Sequence, residues 1–342
     1  MIIATSSPLR YVLLISSFLL VFFSLANKAE ADGIPDNAAF VYNAGTYSVV
    51  SAPALFSPVP FGINNLGQIV GSDGEIGFLY QNGNSTLISP TNNFSTRPVG
   101  INDSGLIVGN ELFPGSPGFQ VFIDHAGSFT TLTLPFSALA TGINNAGEVV
   151  GSFGHSDFTT EAFLYANGSY STFNAPGATS TNFYGISNSG QIVGEYFNNS
   201  GEHVFVLNPT SGILTPINVP CGTTSGGVGV TGINNGDEIV GNCKVGNGVY
   251  SGREFGFEYN YMSGQFTPIF FPLSYTKYSL VTGINDNGQV VGFYSAPEPG
   301  SLALVIIGLA VLIFAYPYRR PETETDGSIP VQTKQVDLTA AS

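Results

Sequence analysis

The chain has 342 residues and a formal net charge of −14; it is 43% hydrophobic but only 9% charged, with 43 Gly, 27 Phe, 16 Tyr and no Trp. Between residues 32 and 296 only Arg97, Lys244, Arg253 and Lys277 oppose seventeen acidic side chains, a balance that excludes nucleic-acid partners, whose binding is driven by phosphate neutralisation. Long helices would want more Ala, Leu, Glu and Lys, so many short strands joined by turns are expected.

Residues 1–31 begin with a single positive charge, Arg10, continue through an apolar run at 11–25 and finish Ala29-Glu30-Ala31. That order is the pattern of a secretory signal peptide with Asp32 as first mature residue; a buried or membrane helix is the alternative. The protein is therefore expected to be exported.

A short phrase follows, Phe40-Val41-Tyr42-Asn43-Ala44-Gly45 running into Tyr47-Ser48-Val49-Val50, which reads as strand, tight turn and strand. Next comes a ten-residue phrase, Gly62-Ile63-Asn64-Asn65-Leu66-Gly67-Gln68-Ile69-Val70-Gly71, whose further copies open at Gly100, Gly142, Gly185, Gly232 and Gly283. Each copy closes on a glycine nine residues later and reads as a hairpin with an Asn/Asp-rich turn. The fourth copy has Ser187 in the first Asn position, and the fifth places Asp237 where the others have the turn glycine. Looser Phe-containing hairpins centred on Phe78, Phe122, Phe163, Phe205 and Phe257 lie between the copies.

The unit is thus four strands, and its period of 38 to 51 residues matches a propeller blade of about 40 to 50 residues. Five units are complete. The sixth has its first two strands at residues 283–294, and the early phrase at 38–50 supplies the other two. The expected fold is all-β, a six-bladed β-propeller over residues 32–296 with two-plus-two closure, flanked by an N-terminal signal helix and a C-terminal transmembrane helix. Adjacent apolar pairs such as Ile69-Val70 and Val149-Val150 point to opposite faces of a strand, so both faces of these strands must be covered. Stacked blades do this; a sheet with one wet face would alternate strictly.

The six Gly-Ile-Asn/Ser phrases with their Phe-containing strands resemble the HAF repeat of bacterial surface proteins over residues 38–294. The resemblance implies an extracellular structural or binding role. The family's His-Ala-Phe strand survives loosely, as His203-Val204-Phe205 and as Ala162-Phe163.

After the last hairpin stand Pro297-Glu298-Pro299, an apolar run at 301–318 and Arg319-Arg320. Eighteen helical residues span about 27 Å, enough for a thin bilayer core, with the arginines on the cytoplasmic side. The arrangement is similar to a PEP-CTERM sorting signal at 297–320. That resemblance implies recognition of Pro297, Glu298 and Pro299 by an exosortase-type processing enzyme at the inner membrane, with Arg319 and Arg320 as the cytoplasmic end. A plain single-span anchor is the alternative. A polar tail at 321–342 extends beyond the usual end of such signals and is expected to be disordered.

Cys221 and Cys243 flank the fifth hairpin, and export favours a disulfide between them over two free buried thiols. His125, His155 and His203 lie in different units without metal-ligand spacing, and no Gly-rich phosphate loop is present, so no metal and no cofactor are expected. The Asn/Asp turns could offer oxygen to calcium, but turn geometry already demands those residues. Most aromatics fall in strands and read as blade packing; Tyr184, Tyr250 and Tyr275 are placed in loops as candidates for sugar stacking. The leading expectation is a non-enzymatic surface or exopolysaccharide-matrix component. A surface carbohydrate-active hydrolase or lyase is the alternative, and it requires two carboxyl groups converging about 5 to 9.5 Å apart. Glu148, Glu238 and Asp237 read as acids of hairpin turns.

Overall fold

The computed structural model describes residues 37–50, 55, 57–90, 95–112, 118–134, 138–221, 228–244, 254–270 and 278–295. The expected signal peptide, the Pro297-Glu298-Pro299 element, Arg319, Arg320 and the tail lie outside the described residues, as do Tyr250 and Tyr275. The described chain is all strand and turn, and among these residues no helix is long and apolar enough to cross a membrane.

Strands β1 (Asn37–Asn43) and β2 (Thr46–Val49) form the first hairpin. Four antiparallel four-stranded sheets follow in strict sequence order. They are β3 (Pro58–Ile63), β4 (Ile69–Asp73), β5 (Ile76–Gln81) and β6 (Asn84–Ile88); then β7 (Ser95–Ile101), β8 (Leu106–Leu112), β9 (Gln120–His125) and β10 (Ser128–Thr131). The third is β11 (Ala138–Ile143), β12 (Val149–Gly154), β13 (Thr160–Ala166) and β14 (Ser169–Phe173); the fourth is β15 (Ser180–Ile186), β16 (Ile192–Asn198), β17 (Gly201–Asn208) and β18 (Ile213–Ile217). The remaining strands are β19 (Val228–Ile233), β20 (Glu238–Lys244), β21 (Glu254–Asn260), β22 (Gln265–Ile269), β23 (Tyr278–Ile284) and β24 (Val290–Ser295). With β1 and β2 they make an eight-stranded sheet, in which β24 pairs with β1 from Tyr42↔Val290 to Asn37↔Ser295. Its two halves are paired as strands only through a short parallel register, Glu254↔Tyr278 and Phe255↔Ser279.

The two repeated phrases are locked together by one contact. Every closing glycine stands opposite the phenylalanine of the next strand, as in Gly71↔Phe78, Gly151↔Phe163 and Gly241↔Phe257. A Cβ on Gly71 would lie 2.8 Å from the Phe78 ring and collide with the Val59 carbonyl, so the ring occupies the space a side chain would need. The early phrase obeys the same rule across the chain ends, with Phe40 opposite Gly292 and fully buried.

The core lies between neighbouring sheets. Val149 packs with Val108 and Val121 of the preceding sheet, whereas Val150 packs with Phe183 and Ile192 of the following one. Ile69 and Val70 are divided in the same way, Ile69 joining Ala39, Val50 and Val291 from the chain ends. Each fully buried Val or Ile contributes about 1.5 to 3 kcal/mol, so the sheet-to-sheet seams carry most of the stability.

The axial channel as candidate functional site

The opening segments of the six glycine phrases converge on a common axis. A Cβ on Gly62 would lie 2.9 Å from Gly100 Cα, and one on Gly185 2.9 Å from Gly232 Cα, so neighbouring backbones meet at van der Waals distance. They enclose a channel with a cavity of about 70 Å³. Asparagine side chains ring one end, around a second cavity of about 50 Å³.

Within each hairpin the first Asn caps its own turn, the Asn64 Oδ1 accepting the N–H groups of Leu66 at 3.1 Å and Gln68 at 2.9 Å. Its Nδ2 reaches the next copy, where Asn64 donates to the Asn102 carbonyl at 3.0 Å, Asn102 to Asn144 at 3.1 Å and Asn144 to Ser187 at 3.3 Å. Asn234 then donates to Asn285 at 3.1 Å and Asn285 back to Asn64 at 2.9 Å. Ser187 has no amide to continue the chain, and there the circle is broken.

The second turn position adds another tier. Backbone N–H groups donate from Asn65 to Asp103 Oδ1, from Asp103 to Asn145, from Asn145 to Asn188, from Ser189 to Asn235, from Asn235 to Asp286 and from Asp286 to Asn65, all within 2.6 to 2.9 Å. The outer carboxylate oxygens are also taken: Asp103 Oδ2 accepts from the Asn65 and Asn145 amides, and Asp286 Oδ2 from those of Asn65, Asn188 and Asn235. Burial alone would push the Asp103 carboxyl up, but the bonds from Asn145 and Asn65 outweigh it and hold it below its ordinary value. The oxygens that calcium would need are therefore aimed at N–H donors, and among the described residues no three His, Cys, Asp or Glu side chains cluster to hold a metal.

No family model matches the chain, and no curated protein matches it. Among solved structures, a TolB-type protein from Agrobacterium tumefaciens is similar over 77% of this chain and 99% of its own, with a TM-score of 0.61 at 9% identity. The chain folds as a β-propeller. Weaker likenesses link it to the β-propeller domain of the Trilobed protease from Pyrococcus furiosus (TM-score 0.42, 12% identity, 70% of this chain and 73% of that one). They also link it to virginiamycin B lyase from Staphylococcus aureus (TM-score 0.38, 11% identity, 69% of this chain and 94% of that one).

The rest of the propeller channel is lined by the Gly and Ile of every phrase and by one further residue per copy whose identity varies. In every copy the register slips between the two residues that flank the one before the opening glycine, Pro60/Gly62 and Phe183/Gly185 among them. The extra residue of each β-bulge, Phe61, Val99, Thr141, Tyr184, Thr231 or Thr282, lines the cavity. Tyr184 is thus not in a loop, where the sequence places it; it belongs to β15, is half-buried and hydrogen-bonds to Glu195. A bulge interrupts the alternation that marks a strand, which is why its neighbourhood reads as loop. Thr141 and Thr231 hydroxyls bond backbone carbonyls of their own and the following sheet.

Two unrepeated residues stand near the aromatic bulges. Arg97 of β7 places its guanidinium carbon 4.1 Å from the centre of the Phe61 ring. Glu195 of β16 is 3% exposed, accepts the Val230 N–H at 2.9 Å and hydrogen-bonds to Tyr184 and Glu202. Burial pushes its carboxyl up to about 7, and the charge of Glu202 adds to the rise. Nothing in the repeat pattern singles out Arg97 or Glu195; the signal that could have found them is a charged residue on an inner strand of a repeat otherwise poor in charge.

The remaining sequence candidates are structural. Glu148 and Glu238 accept amide bonds at 2.7 Å from Asn144 and Asn234 of their own turns, and Asp237, at φ 62°, accepts from the Tyr261 hydroxyl at 3.0 Å. His203 stacks on Tyr196, His155 lies 3.8 Å from Glu161, and His125 ends β9. Cys221 and Cys243 are joined by a disulfide, with Cα atoms 5.7 Å apart and Cys243 fully buried.

Proposed function

We propose that the chain is an exported HAF-type repeat propeller of six four-stranded blades, held at the cell surface or in the extracellular matrix as a structural or binding component. The eight-stranded sheet supports the count, because its halves, β19 to β22 and β23-β24-β1-β2, are joined as strands only through the two-residue parallel pairing and each repeats the Gly–Phe lock. The observation that carries the functional reading is the axial ring. The repeated polar residues are consumed by one another and hold the scaffold closed, leaving unrepeated side chains to any ligand.

The Pro297-Glu298-Pro299 element, the apolar run and Arg319-Arg320 support sorting by an exosortase-type enzyme at the inner membrane. No cofactor or metal enters this reading, and extracellular polysaccharide is the partner it favours. The alternative of a carbohydrate-active hydrolase or lyase is less well supported. The Glu195 carboxyl accepts the Val230 N–H at 2.9 Å and is further engaged by Tyr184 and Glu202, whereas glycoside hydrolysis needs two carboxyl groups free to face a substrate. Cell fractionation with and without Pro297–Pro299 tests the sorting. Deletion is expected to leave the protein in the inner membrane as an unprocessed precursor; unchanged size and location would refute it.

A further inference from the structure

We infer that the bulge-lined end of the axial channel binds the carboxylate group of an acidic saccharide, a terminal or pendant uronate, with Arg97 as the anion anchor and the Phe61 and Tyr184 rings as walls. The inference rests on the surface-binding reading and names its ligand class.

Arg97 is one of only four basic side chains between residues 32 and 296, against seventeen acidic ones. The ion pairs among the described residues join Lys244 to Glu254 and His155 to Glu161, so Arg97 has no carboxylate partner there. It lies over Phe61 instead, with its side chain still exposed to solvent, and the modest desolvation there lowers its hold on its proton without a protein anion to offset it. A guanidinium held over a ring by its central carbon has N–H groups left for a bidentate carboxylate.

Phe61 and Tyr184 are the bulge residues of the first and fourth copies. The asparagine bonds run through the copies in sequence order and return to the first, so these two rings stand on opposite sides of the channel. Aromatic faces suit the C–H face of a sugar, and the Thr141 and Thr231 hydroxyls, which lie against carbonyls, turn their lone pairs to sugar O–H donors. The cavity of about 70 Å³ is far below the roughly 300 Å³ of a pocket that encloses a whole small ligand. Arg97 stands over Phe61 without lining the cavity itself, so carboxylate and sugar ring both rest at the mouth.

Titration calorimetry of the full-length protein with a glucuronate-terminated disaccharide, against the same disaccharide ending in glucose, tests the site. Salt near 0.15 M screens the long-range repulsion from the acidic surface. The acidic sugar is expected to bind at least tenfold more tightly than the neutral one. Arg97→Gln and Phe61→Ala should each remove at least tenfold, and Arg97→Lys should fall between, with the Arg97 variants melting within a few degrees of the parent. Equal affinity for both sugars, absence of binding, or an Arg97→Gln variant that binds as the parent does would overturn the inference. Surface sorting is read separately by fractionation, so either proposal can fall while the other stands.

Discussion

In the second, fourth and fifth copies the residue that follows the closing glycine reaches toward the next sheet, and its chemistry sets how firmly those neighbouring blades hold. Asn110 accepts the Ala140 N–H at 2.8 Å and donates to the carbonyl of the same residue at 2.9 Å; Asn242 does the same to Val281. Glu195 occupies the equivalent place and only accepts, from Val230, with the Tyr184 hydroxyl and the Glu202 carboxyl as its other neighbours. Its folded-state value of about 7 lies above the ordinary 4.5. The folded protein therefore holds a proton that the unfolded chain releases first. This contribution is fully present below about pH 4.5 and is lost as pH rises through about 7. Glu195→Gln keeps the acceptor and removes the charge. Its melting temperature should match the parent's at pH 4.5 and exceed it at pH 8, by an amount corresponding to about 1 to 3 kcal/mol. A difference that stays constant across that range would show that Glu195 does not titrate in this way.

At the scale of the hairpin, turn and seam are made by the same asparagine, since one oxygen caps the loop and one amide grips the next copy. The fourth copy lacks the grip because serine is too short, its Oγ being used on the Gln191 N–H and the Ser189 hydroxyl. Ser187→Asn should supply a donor to the Asn234 carbonyl and complete the circle. The expected gain is about 0.5 to 1.5 kcal/mol in urea unfolding, the usual net worth of one buried hydrogen bond; a loss would mean that the fourth turn cannot accept the longer side chain. This device also separates what could be read from the sequence from what could not. Gly62, Asn64, Val70 and Gly71 recur at fixed offsets because every blade has the same axis, turn and seams to satisfy, so repetition exposed them. Their partners across the ring, and the duty of the closing glycine to admit a phenylalanine, depend on which copies become neighbours. Arg97, Tyr184 and Glu195 each occur once, and against a repeating background a single residue has no period to betray it. Cys221 and Cys243 could be paired only as an expectation, because the 22-residue separation permits a bond without requiring one.

For the whole molecule the question is how a chain of consecutive sheets avoids two raw edges. Here β1 lies along β24, and the first chain segment buries Ala39, Phe40 and Val50 against residues from both ends of the sequence. Without it β24 would present unpaired N–H and C=O groups along six residues, an edge open to other chains. Closure also makes the seams interdependent, since no sheet is terminal and none can fray alone. Phe40→Ala tests this. If the N-terminal hairpin were a loose appendage, the substitution would cost little and unfolding would begin there as a separate early phase. In a closed ring Phe40 is as deep as Phe122, both being fully buried against a closing glycine. Its loss should then cost the about 3 to 5 kcal/mol expected of any buried phenylalanine and shift one cooperative transition. Guanidinium unfolding followed by tyrosine fluorescence and by far-ultraviolet circular dichroism distinguishes the two. Coincident curves with a midpoint lowered as far as in Phe122→Ala support the closed ring. A separate early phase, or a loss below about 1 kcal/mol, would place the N-terminal strands outside the cooperative unit.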